Sequence, residues 1–468
     1  MADLTTPEAA AFDEKLRRAA MPDEVRREFL GRYGRFRAGD DGTISWDEIA
    51  MPGTEDIVDL ETLGPVSDEE ASRLVGALVS IKLNGGLGTT MKLEGPKSLL
   101  AVRDGRSFLA LIAEQIARLR RRHGVDTLLL LMNSYRTRDA SLAELKAVGF
   151  SQEDLPWDFL QHKVPRIDRD TFLPLRLDVS ADVSEEWTPP GHGDLYRALH
   201  LSGILDRLLD RGVKWAFVSN VDNLGATVDL RIPAYLDAAG LDFLMEVTPK
   251  TPADIKGGVL ARWRGRLALI ERGQVSKEAF DAFEDTSRFA DFNTNSLWWR
   301  VEAMRDAVAA DRLALPTIVN PKTVQGCRVV QLETAMGAAI GSFSQAKGLR
   351  VSRQRFAPVK GTSDLLVVRS DAYALDEEGG LRPNPVRGPG LVPPIVTLDP
   401  RFYQSVADLD ARVMSPPSLV ACRSLRVDGD VTFGRDVEIR GDVRIATPEG
   451  GAHRIADGTL LEDTSLAL

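Results

Sequence analysis

The chain has 468 residues, more than one ordinary hydrophobic core supports, so two or three domains are expected. Hydrophobic residues make up 43% and charged residues 27%, as in globular proteins, and no apolar run approaches the roughly 18 residues of a membrane span. The net charge of −10 argues against binding to nucleic acid or an anionic membrane. The two cysteines, Cys327 and Cys422, fit neither a disulfide framework nor a zinc site. We expect a cytoplasmic protein with small-molecule partners.

The first 75 residues are predicted to form a helical segment. Residues 7–20 and 23–36 have apolar side chains at helical spacing among charged ones. The apolar run over residues 74–81 then predicts the first buried strand. We place the first domain boundary at 75/76.

A glycine-rich loop follows that strand. Leu83 and Asn84 precede Gly85, Gly86 and Gly88. Glycines let the backbone turn tightly and approach a ligand, and the N–H groups of such a loop can bind an anion or the edge of a base. A plain turn is the alternative.

The basic residue Lys97 lies a few positions after this loop and can hold a phosphate. The segment is not a Walker A motif, because Pro96 separates Gly95 from Lys97. It is not a dinucleotide motif either, because Met91 stands where the third glycine belongs.

Strands and helices alternate over residues 76–390. Strands are predicted at 126–132, 214–219 and 241–248, and helices at 99–122, 196–211 and, as a helix start, 330–340. This alternation indicates an α/β domain with a parallel or mixed sheet covered on both faces. Ligands of such sheets bind at the carboxyl ends of the strands, where the glycine loop and residues 220–223 lie.

The C-terminal part, residues 391–468, has a different period. Apolar residues recur every six positions in two series, and a six-residue repeat is typical of a left-handed parallel β-helix. A simple strand alternation is the alternative. The two series are Leu425, Val431, Val437 and Val443, and Val427, Phe433, Ile439 and Ile445.

Three further segments have side chains suited to a phosphorylated ligand. Asp222 follows a strand, where a carboxylate is a natural ligand of Mg²⁺; a turn cap is the alternative. Gly191 permits backbone contact with a base, and His192 can donate to a phosphate. Glu271, Asn293 and Asn295 offer the polar groups that sugar hydroxyls require, although the asparagines could equally be capping residues.

These segments together resemble the eukaryotic-type UTP–glucose-1-phosphate uridylyltransferases. The resemblance extends over most of residues 81–366 and preserves the order of seven motifs. They include K-L-N-G-G-L-G-T-T-M, G-P-K-S, P-P-G-H-G-D, N-V-D-N-L-G-A-T-V-D, F-N-T-N-S-L-W and P-V-K-G-T-S-D-L-L. It departs from the family pattern at Lys92, where glycine is usual, at Ser296, where asparagine is usual, and at Gly361, where threonine is usual.

The resemblance implies a Rossmann-like, GT-A-like nucleotidyltransferase fold and assigns roles to single residues. Lys97, Asp222 and Lys360 would be catalytic, with Asp222 holding Mg²⁺. Leu83, Asn84, Gly85, Gly86, Lys97, Gln161 and Gly191 would bind the nucleotide, and Gln161 would recognise the uracil edge. His192, Asn220, Val221, Asp222, Gly258, Glu271, Asn293 and Asn295 would bind glucose 1-phosphate.

The reaction implied is the reversible conversion of UTP and glucose 1-phosphate to UDP-glucose and pyrophosphate. A pyrophosphorylase acting on another sugar 1-phosphate, or on several, and a non-catalytic UDP-sugar sensor are the alternatives. An acyltransferase, suggested by the six-residue repeat alone, is disfavoured because His453 lies beyond that repeat. A homo-oligomer formed through the C-terminal domain is compatible with the open ends of a β-helix.

Overall fold

The computed structural model describes residues 6–178, 183–251, 254–388, 392–448 and 450–467. None of the helices in these ranges has the length and apolar character of a membrane span. The α-helices there are Pro7–Arg18, Asp23–Arg37, Asp68–Gly76, Phe108–His123, Arg138–Ala147, Leu195–Leu201, Ile204–Asp210, Arg231–Ala238, Phe280–Glu284, Val301–Ala309, Thr362–Arg369, Pro400–Tyr403 and Val406–Arg412.

An eight-stranded mixed sheet forms the centre of the molecule. All neighbouring strands are parallel except Asp291–Arg300, which runs antiparallel to both of its neighbours. From one edge to the other, the order is Ile57–Asp59, Ala346–Arg350, Phe243–Pro249, Asp291–Arg300, Trp215–Asn220, Leu78–Asn84, Leu128–Asn133 and Asp158–Leu160.

Helices cover both faces of this sheet, as the alternation of elements predicts. Leu129 and Leu131 pack on one face in a cluster that includes helix Phe108–His123. Leu130, between them, packs on the opposite face with residues of helix Leu195–Leu201. Successive side chains of a strand point to opposite faces, so a strand buried on both faces is apolar throughout. The predicted α/β fold with a mixed sheet is confirmed.

The N-terminal segment is more than a pair of helices. Its helices Pro7–Arg18 and Asp23–Arg37 agree with the predicted ones within two residues. Its strand Ile57–Asp59, however, pairs with Gly348–Arg350 and forms an edge of the central sheet. The predicted helical segment is therefore not helical throughout, because one of its strands belongs to the central sheet.

Four elements predicted from the sequence differ from the structure in their boundaries or in their type. Residues 74–76 end a helix, and the first strand of the sheet interior begins at Leu78. The predicted helix 99–122 begins only at Phe108, because a hairpin precedes it whose Asp104 and Gly105 have φ of +51° and +72°. An Asp-Gly pair with positive φ is typical of a two-residue hairpin turn.

The predicted helices at 196–211 and 330–340 also differ from the structure, and residues with positive φ lie where each of them is interrupted or replaced. Helix 196–211 is two helices separated at Gly203, whose φ is +71°. The helix start predicted at 330–340 is wrong: strand Cys327–Glu333 pairs with Ile318–Val324, and a 3₁₀ helix, Met336–Ser342, follows. Gln325 and Gly326 supply the positive-φ turn of that hairpin.

The C-terminal part forms parallel strands, as the six-residue repeat predicts. Leu425 lies opposite Val443 and Val427 opposite Ile445, which are pairs 18 residues apart, or three repeats. All eight apolar residues of the two series are buried. They continue into a core cluster that includes Val221 and Val359 of the larger domain, so the two parts share hydrophobic packing. The predicted boundary at 390/391 lies outside the described residues.

The strands outside the central sheet form small sheets and hairpins. Those of the larger part are Ile49–Ala50, Ala101–Arg103, Arg106–Ser107, Val164–Pro165, Ile167–Asp168, Trp187–Thr188, Val259–Trp263, Arg266–Ile270, Ile318–Val324, Cys327–Glu333, Tyr373–Leu375 and Leu381–Pro383. The C-terminal strands are Ile395–Leu398, Cys422–Asp428, Asp430–Phe433, Glu438–Ala446, Ala452–Ile455, Leu460–Glu462 and Ser465–Ala467.

Candidate active site

The glycine loop and the Asp222 segment lie side by side at the carboxyl edge of the sheet. Their strands, Leu78–Asn84 and Trp215–Asn220, are parallel neighbours, and Leu83 is directly opposite Asn220. The Lys97 N–H donates to the Gly86 carbonyl at 3.1 Å, which attaches the lysine segment to the glycine loop. Residues far apart in the chain therefore converge because parallel strands end at the same edge.

Lys97 and Asp222 form an ion pair at this edge. Lys97 Nζ lies 2.5 Å from Asp222 Oδ2, and both side chains are largely buried. The other carboxylate oxygen, Asp222 Oδ1, is buried and has no hydrogen-bond partner among the described residues. A buried oxygen without a partner is costly, so Oδ1 is available to a ligand.

The Lys360 segment is attached to the Asp222 segment. The Val359 N–H donates to the Asp222 carbonyl at 3.2 Å, and the Lys360 N–H donates to Asp364 Oδ2 at 2.7 Å. Burial raises the pKa of the Asp364 carboxyl, and the charges of Lys360 and Lys97 both oppose that rise. Lys97, Asp222 and Lys360 thus lie in one neighbourhood.

Gln161, a predicted base-binding residue, lies beside the glycine loop and is attached to Gly191. Gln161 Nε2 donates to the Gly191 carbonyl at 2.9 Å. A Cβ at Gly85 would lie 2.9 Å from Gln161 Oε1, so only glycine lets the loop approach this amide so closely. Gly191 has φ of +86°, and a Cβ there would lie 2.3 Å from the Thr334 carbonyl oxygen.

Two predicted residues have side chains that face the interior. Asn84 Nδ2 donates to Asn133 Oδ1 and Ser141 Oγ, and the residue is fully buried. Val221 is buried in the core cluster. These two can meet a ligand only through the backbone.

His192 is held as a neutral hydrogen-bond donor. Its Nδ1 accepts from the Met336 N–H at 2.9 Å. Loss of water around the ring lowers the pKa of His192 to about 4. A neutral imidazole whose Nδ1 accepts must have its proton on Nε2. His192 can therefore donate to a phosphate oxygen from Nε2 without changing its charge.

The predicted sugar-binding residues form a second connected group. Asn295 Nδ2 donates to Asn220 Oδ1 at 3.0 Å, and the Asn295 N–H donates to Asn293 Oδ1 at 3.0 Å. The Asn293 N–H donates to the Gly258 carbonyl at 2.8 Å. A Cβ at Gly258 would lie 2.8 Å from the Glu271 carboxylate.

Glu271 links this group to the phosphate side of the site. Burial raises the pKa of the Glu271 carboxyl, and the positive charge of Lys360 opposes the rise. The carboxyl is thus close enough to Lys360 to sense its charge. Carboxyl oxygens accept hydrogen bonds, which sugar hydroxyls can donate.

The sequence interpretation did not assign three residues that organise this site: His162, Asp194 and Asp364. His162 Nδ1 lies 2.9 Å from Asp194 Oδ1, and the His162 N–H donates to Asp194 Oδ2 at 2.7 Å. His162 follows Gln161 directly, Asp194 ends the P-P-G-H-G-D motif, and Asp364 lies in the Lys360 motif. Position beside assigned residues was the only signal.

A model of the family described as UTP–glucose-1-phosphate uridylyltransferase matches residues 27–440. The chain belongs to this family. The resemblance inferred from the motifs is confirmed.

Proteins and solved structures of the same family are similar to this chain over nearly its whole length. The UTP–glucose-1-phosphate uridylyltransferase of Solanum tuberosum is 43% identical, with 94% of this chain and 91% of that protein covered. The Saccharomyces cerevisiae protein of the same name is 40% identical, with 90% and 84% covered. The crystal structure of a UDP-glucose pyrophosphorylase mutant from Leishmania major in complex with UDP-glucose is 37% identical, with 99% and 100% covered and a TM-score of 0.90.

The three departures from the uridylyltransferase pattern differ in their structural effect. Lys92 has φ of +53°, a conformation that glycine adopts freely and other residues adopt at a cost of about 1–2 kcal/mol. Ser296 is buried, and its Oγ has no partner in the described part of the chain. Gly361 is extended, with φ of −147°, which any residue adopts.

Proposed function

We propose that this protein converts UTP and glucose 1-phosphate to UDP-glucose and pyrophosphate, reversibly. The convergence of Lys97, Asp222 and Lys360 beside the glycine loop is the observation that supports this most directly. Two cations and one carboxylate close to such a loop suit the phosphates of a bound nucleotide. The Leishmania major relative was crystallised with UDP-glucose, which agrees with a uridine nucleotide and a glucosyl group as ligands.

The transfer needs no general base. A phosphate oxygen of glucose 1-phosphate, ionised near neutral pH, attacks the α-phosphorus of UTP. The bond from that oxygen to phosphorus forms as the bond to the pyrophosphate oxygen breaks, and pyrophosphate leaves in line. Catalysis of such a step consists of positioning and charge neutralisation.

Separate segments supply the positioning and the charge neutralisation in the proposal. Lys97 holds the departing pyrophosphate, and Lys360 neutralises charge on the transferring group. Gln161, Gly191 and the backbone of the glycine loop hold uracil and ribose. His192, through Nε2–H, binds the sugar phosphate, and the remaining group surrounds glucose. That group comprises Asn220, Gly258, Glu271, Asn293 and Asn295.

We propose Mg²⁺ as the cofactor, held by Asp222. The donor set fits this ion, because Asp222 Oδ1 is buried without a protein partner and Mg²⁺ commonly takes only one or two carboxylates, sharing phosphate oxygens. Within the described residues no group of three or more His, Cys, Asp or Glu could hold a metal by itself, so substrate oxygens would complete the site. The ion would supply positive charge at the α-phosphate.

Three finer points belong to the same proposal. The parallel pairing at 18-residue intervals supports a left-handed β-helix at the C-terminus. The exposed side chain of Leu460, in strand Leu460–Glu462, supports a homo-oligomer formed through this part. Cys327 and Cys422 are free, which supports a cytoplasmic location.

One assay tests the proposal against its alternatives. Pyrophosphate release from UTP is measured with glucose, galactose and N-acetylglucosamine 1-phosphates, each with and without Mg²⁺. Release that needs glucose 1-phosphate and Mg²⁺ is expected. Equal rates with the other sugars would establish a broader pyrophosphorylase, and UDP-glucose binding without any release would establish a sensor.

A further inference from the structure

The orientation of the Gln161 amide is fixed by the protein before any nucleotide binds. The Gly191 carbonyl can only accept a hydrogen bond, so the amide atom that faces it at 2.9 Å must be the nitrogen, Nε2. The oxygen, Oε1, is then the atom that lies against Gly85. The side chain therefore presents a fixed acceptor beside the glycine loop.

A fixed acceptor distinguishes the two pyrimidine bases. Uracil has a proton on N3 and can donate it to Oε1. Cytosine has a lone pair on N3, which would face the lone pairs of Oε1. If the amide were free to rotate, Nε2 could serve cytosine instead, so discrimination requires that the amide stay fixed.

The Gly191 carbonyl fixes this amide, and hydrogen bonds between His162 and Asp194 fix the Gly191 segment. The Asp194 carboxylate accepts from the His162 N–H at 2.7 Å and lies 2.9 Å from His162 Nδ1. The Asp194 N–H donates to the Gly191 carbonyl at 3.3 Å. His162 comes directly after Gln161, and Asp194 lies three positions after Gly191. The hydrogen bonds between His162 and Asp194 therefore join the two segments that fix the Gln161 amide.

The His162–Asp194 pair is shielded from solvent. The side chains are 12% and 5% exposed. Burial alone lowers the pKa of His162, but the hydrogen bond and charge of Asp194 outweigh it, so the pKa is raised. Charge-assisted hydrogen bonds with little solvent access are among the stronger ones in proteins.

We propose that His162, through Asp194, is a positioning residue that makes the base pocket select uracil over cytosine. The proposal rests on the function above only in taking the nucleotide to be a uridine nucleotide. Neither side chain is assigned contact with the reacting phosphates. Replacing His162 should therefore loosen base selection and nucleotide affinity and leave the chemical step nearly unchanged.

The test compares His162→Leu, which removes the Nδ1 hydrogen bond, with His162→Asn, whose side-chain amide can replace Nδ1–H. The control His123→Leu makes the same change at the end of helix Phe108–His123, away from the base pocket. For His162→Leu, we expect the ratio of kcat/KM for UTP to that for CTP to fall about tenfold, as loss of one charge-assisted hydrogen bond allows. KM for UTP should rise, kcat at saturating UTP should stay within about threefold, and His162→Asn should restore most of the ratio.

Three results would overturn the proposal. One is an unchanged UTP-to-CTP ratio in folded His162→Leu, the second is a loss of kcat without a change in the ratio, and the third is an equal fall of the ratio in His123→Leu. If His162→Leu does not fold, Asp194→Asn serves instead, because it keeps an oxygen acceptor but removes the charge, and the same fall is expected.

Binding of UTP and CTP, measured by calorimetry without sugar phosphate, separates this inference from the proposed function. A wild type that prefers UTP but releases no pyrophosphate would contradict the function alone. An active wild type whose preference survives His162→Leu would contradict this inference alone.

Discussion

Lys97 Nζ lies 2.5 Å from Asp222 Oδ2, although the two residues are 125 positions apart in the chain. Each side chain neutralises the charge of the other. In the proposed reaction Lys97 holds the pyrophosphate and Asp222 holds Mg²⁺. The pair also orients the carboxylate, since Oδ2 is occupied and Oδ1 is the oxygen without a partner in the described part of the chain.

Replacing Asp222 by asparagine tests this arrangement. The change keeps the size of the side chain but removes the charge that binds Lys97 and would bind Mg²⁺. We expect kcat to fall about 10²–10³-fold, as when a group that stabilises the transition state is removed. Pyrophosphate release is measured over a MgCl₂ titration, with Asp281→Asn at an exposed helix position as the control. An unchanged rate at every Mg²⁺ concentration would remove Asp222 from the mechanism.

Replacing Lys360 by alanine removes a charge assigned to the transferring group. We expect kcat to fall about 10²–10³-fold while UTP affinity changes little, because this charge acts mainly in the transition state. Single-turnover rates and UTP binding by calorimetry measure the two effects, and Lys277→Ala, an exposed lysine, is the control. Wild-type turnover in Lys360→Ala would contradict the assignment.

Replacing Gly191 by alanine should destabilise the protein more than the same change at Gly105. Both residues have positive φ, +86° and +72°, so both substitutions incur the left-handed backbone cost. Only at Gly191 would the new Cβ meet backbone atoms, at 2.3 Å from the Thr334 carbonyl oxygen, whereas nothing lies within 4 Å at Gly105. We expect about 1 kcal/mol of destabilisation at Gly105 and about 2–4 kcal/mol at Gly191. Urea unfolding measures both, and equal values would contradict the clash.

His192 should make stability depend on pH. Loss of water around the ring holds the pKa of His192 at about 4 in the folded protein, below its ordinary value of 6.5. Between these values the unfolded chain binds a proton that the folded protein does not, so stability falls as the pH drops from 6.5 to 4. The loss from this residue approaches about 3 kcal/mol.

His192→Asn is the matched variant, because its Oδ1 can still accept from the Met336 N–H. We expect the difference in the free energy of unfolding between the two proteins to narrow or reverse by that amount as the pH falls from 6.5 to 4. A difference that is constant with pH would show that His192 titrates normally.

Arg355 and Glu246 form a buried ion pair beneath the site. Their side chains are 7% and 1% exposed, and Arg355 precedes the Lys360 segment. Removing one partner leaves a buried charge, so Arg355→Met should cost about 3–5 kcal/mol. Arg454→Met, which breaks a pair with Asp457 whose side chains are 57% and 56% exposed, should cost about 0–1 kcal/mol. Urea unfolding compares them, and equal costs would contradict the role of burial.

Sequence patterns predicted the secondary structure correctly where a segment's own residues determine it. The six-residue repeat, from Leu425 to Ile445, predicted parallel strands, and residues three repeats apart, such as Leu425 and Val443, do lie opposite each other and are buried together. The apolar run within residues 126–132 predicted a strand, observed as Leu128–Asn133, because a strand covered by helices on both faces is apolar throughout. Positive-φ turns at Asp104–Gly105 and Gln325–Gly326 were overlooked, although the Asp-Gly and Gln-Gly pairs were visible in the sequence.

The sequence by itself determined the family, the α/β class and the residue types that handle a nucleotide and a sugar phosphate, since motifs and periodicity are local properties. Only the tertiary structure decided which oxygen of Asp222 is available, that Asn84 faces the interior, and that His162 joins two segments around Gln161. The reason is that hydrogen bonds and ion pairs between distant segments depend on how strands align at a sheet edge, and neither residue of such a pair specifies that alignment.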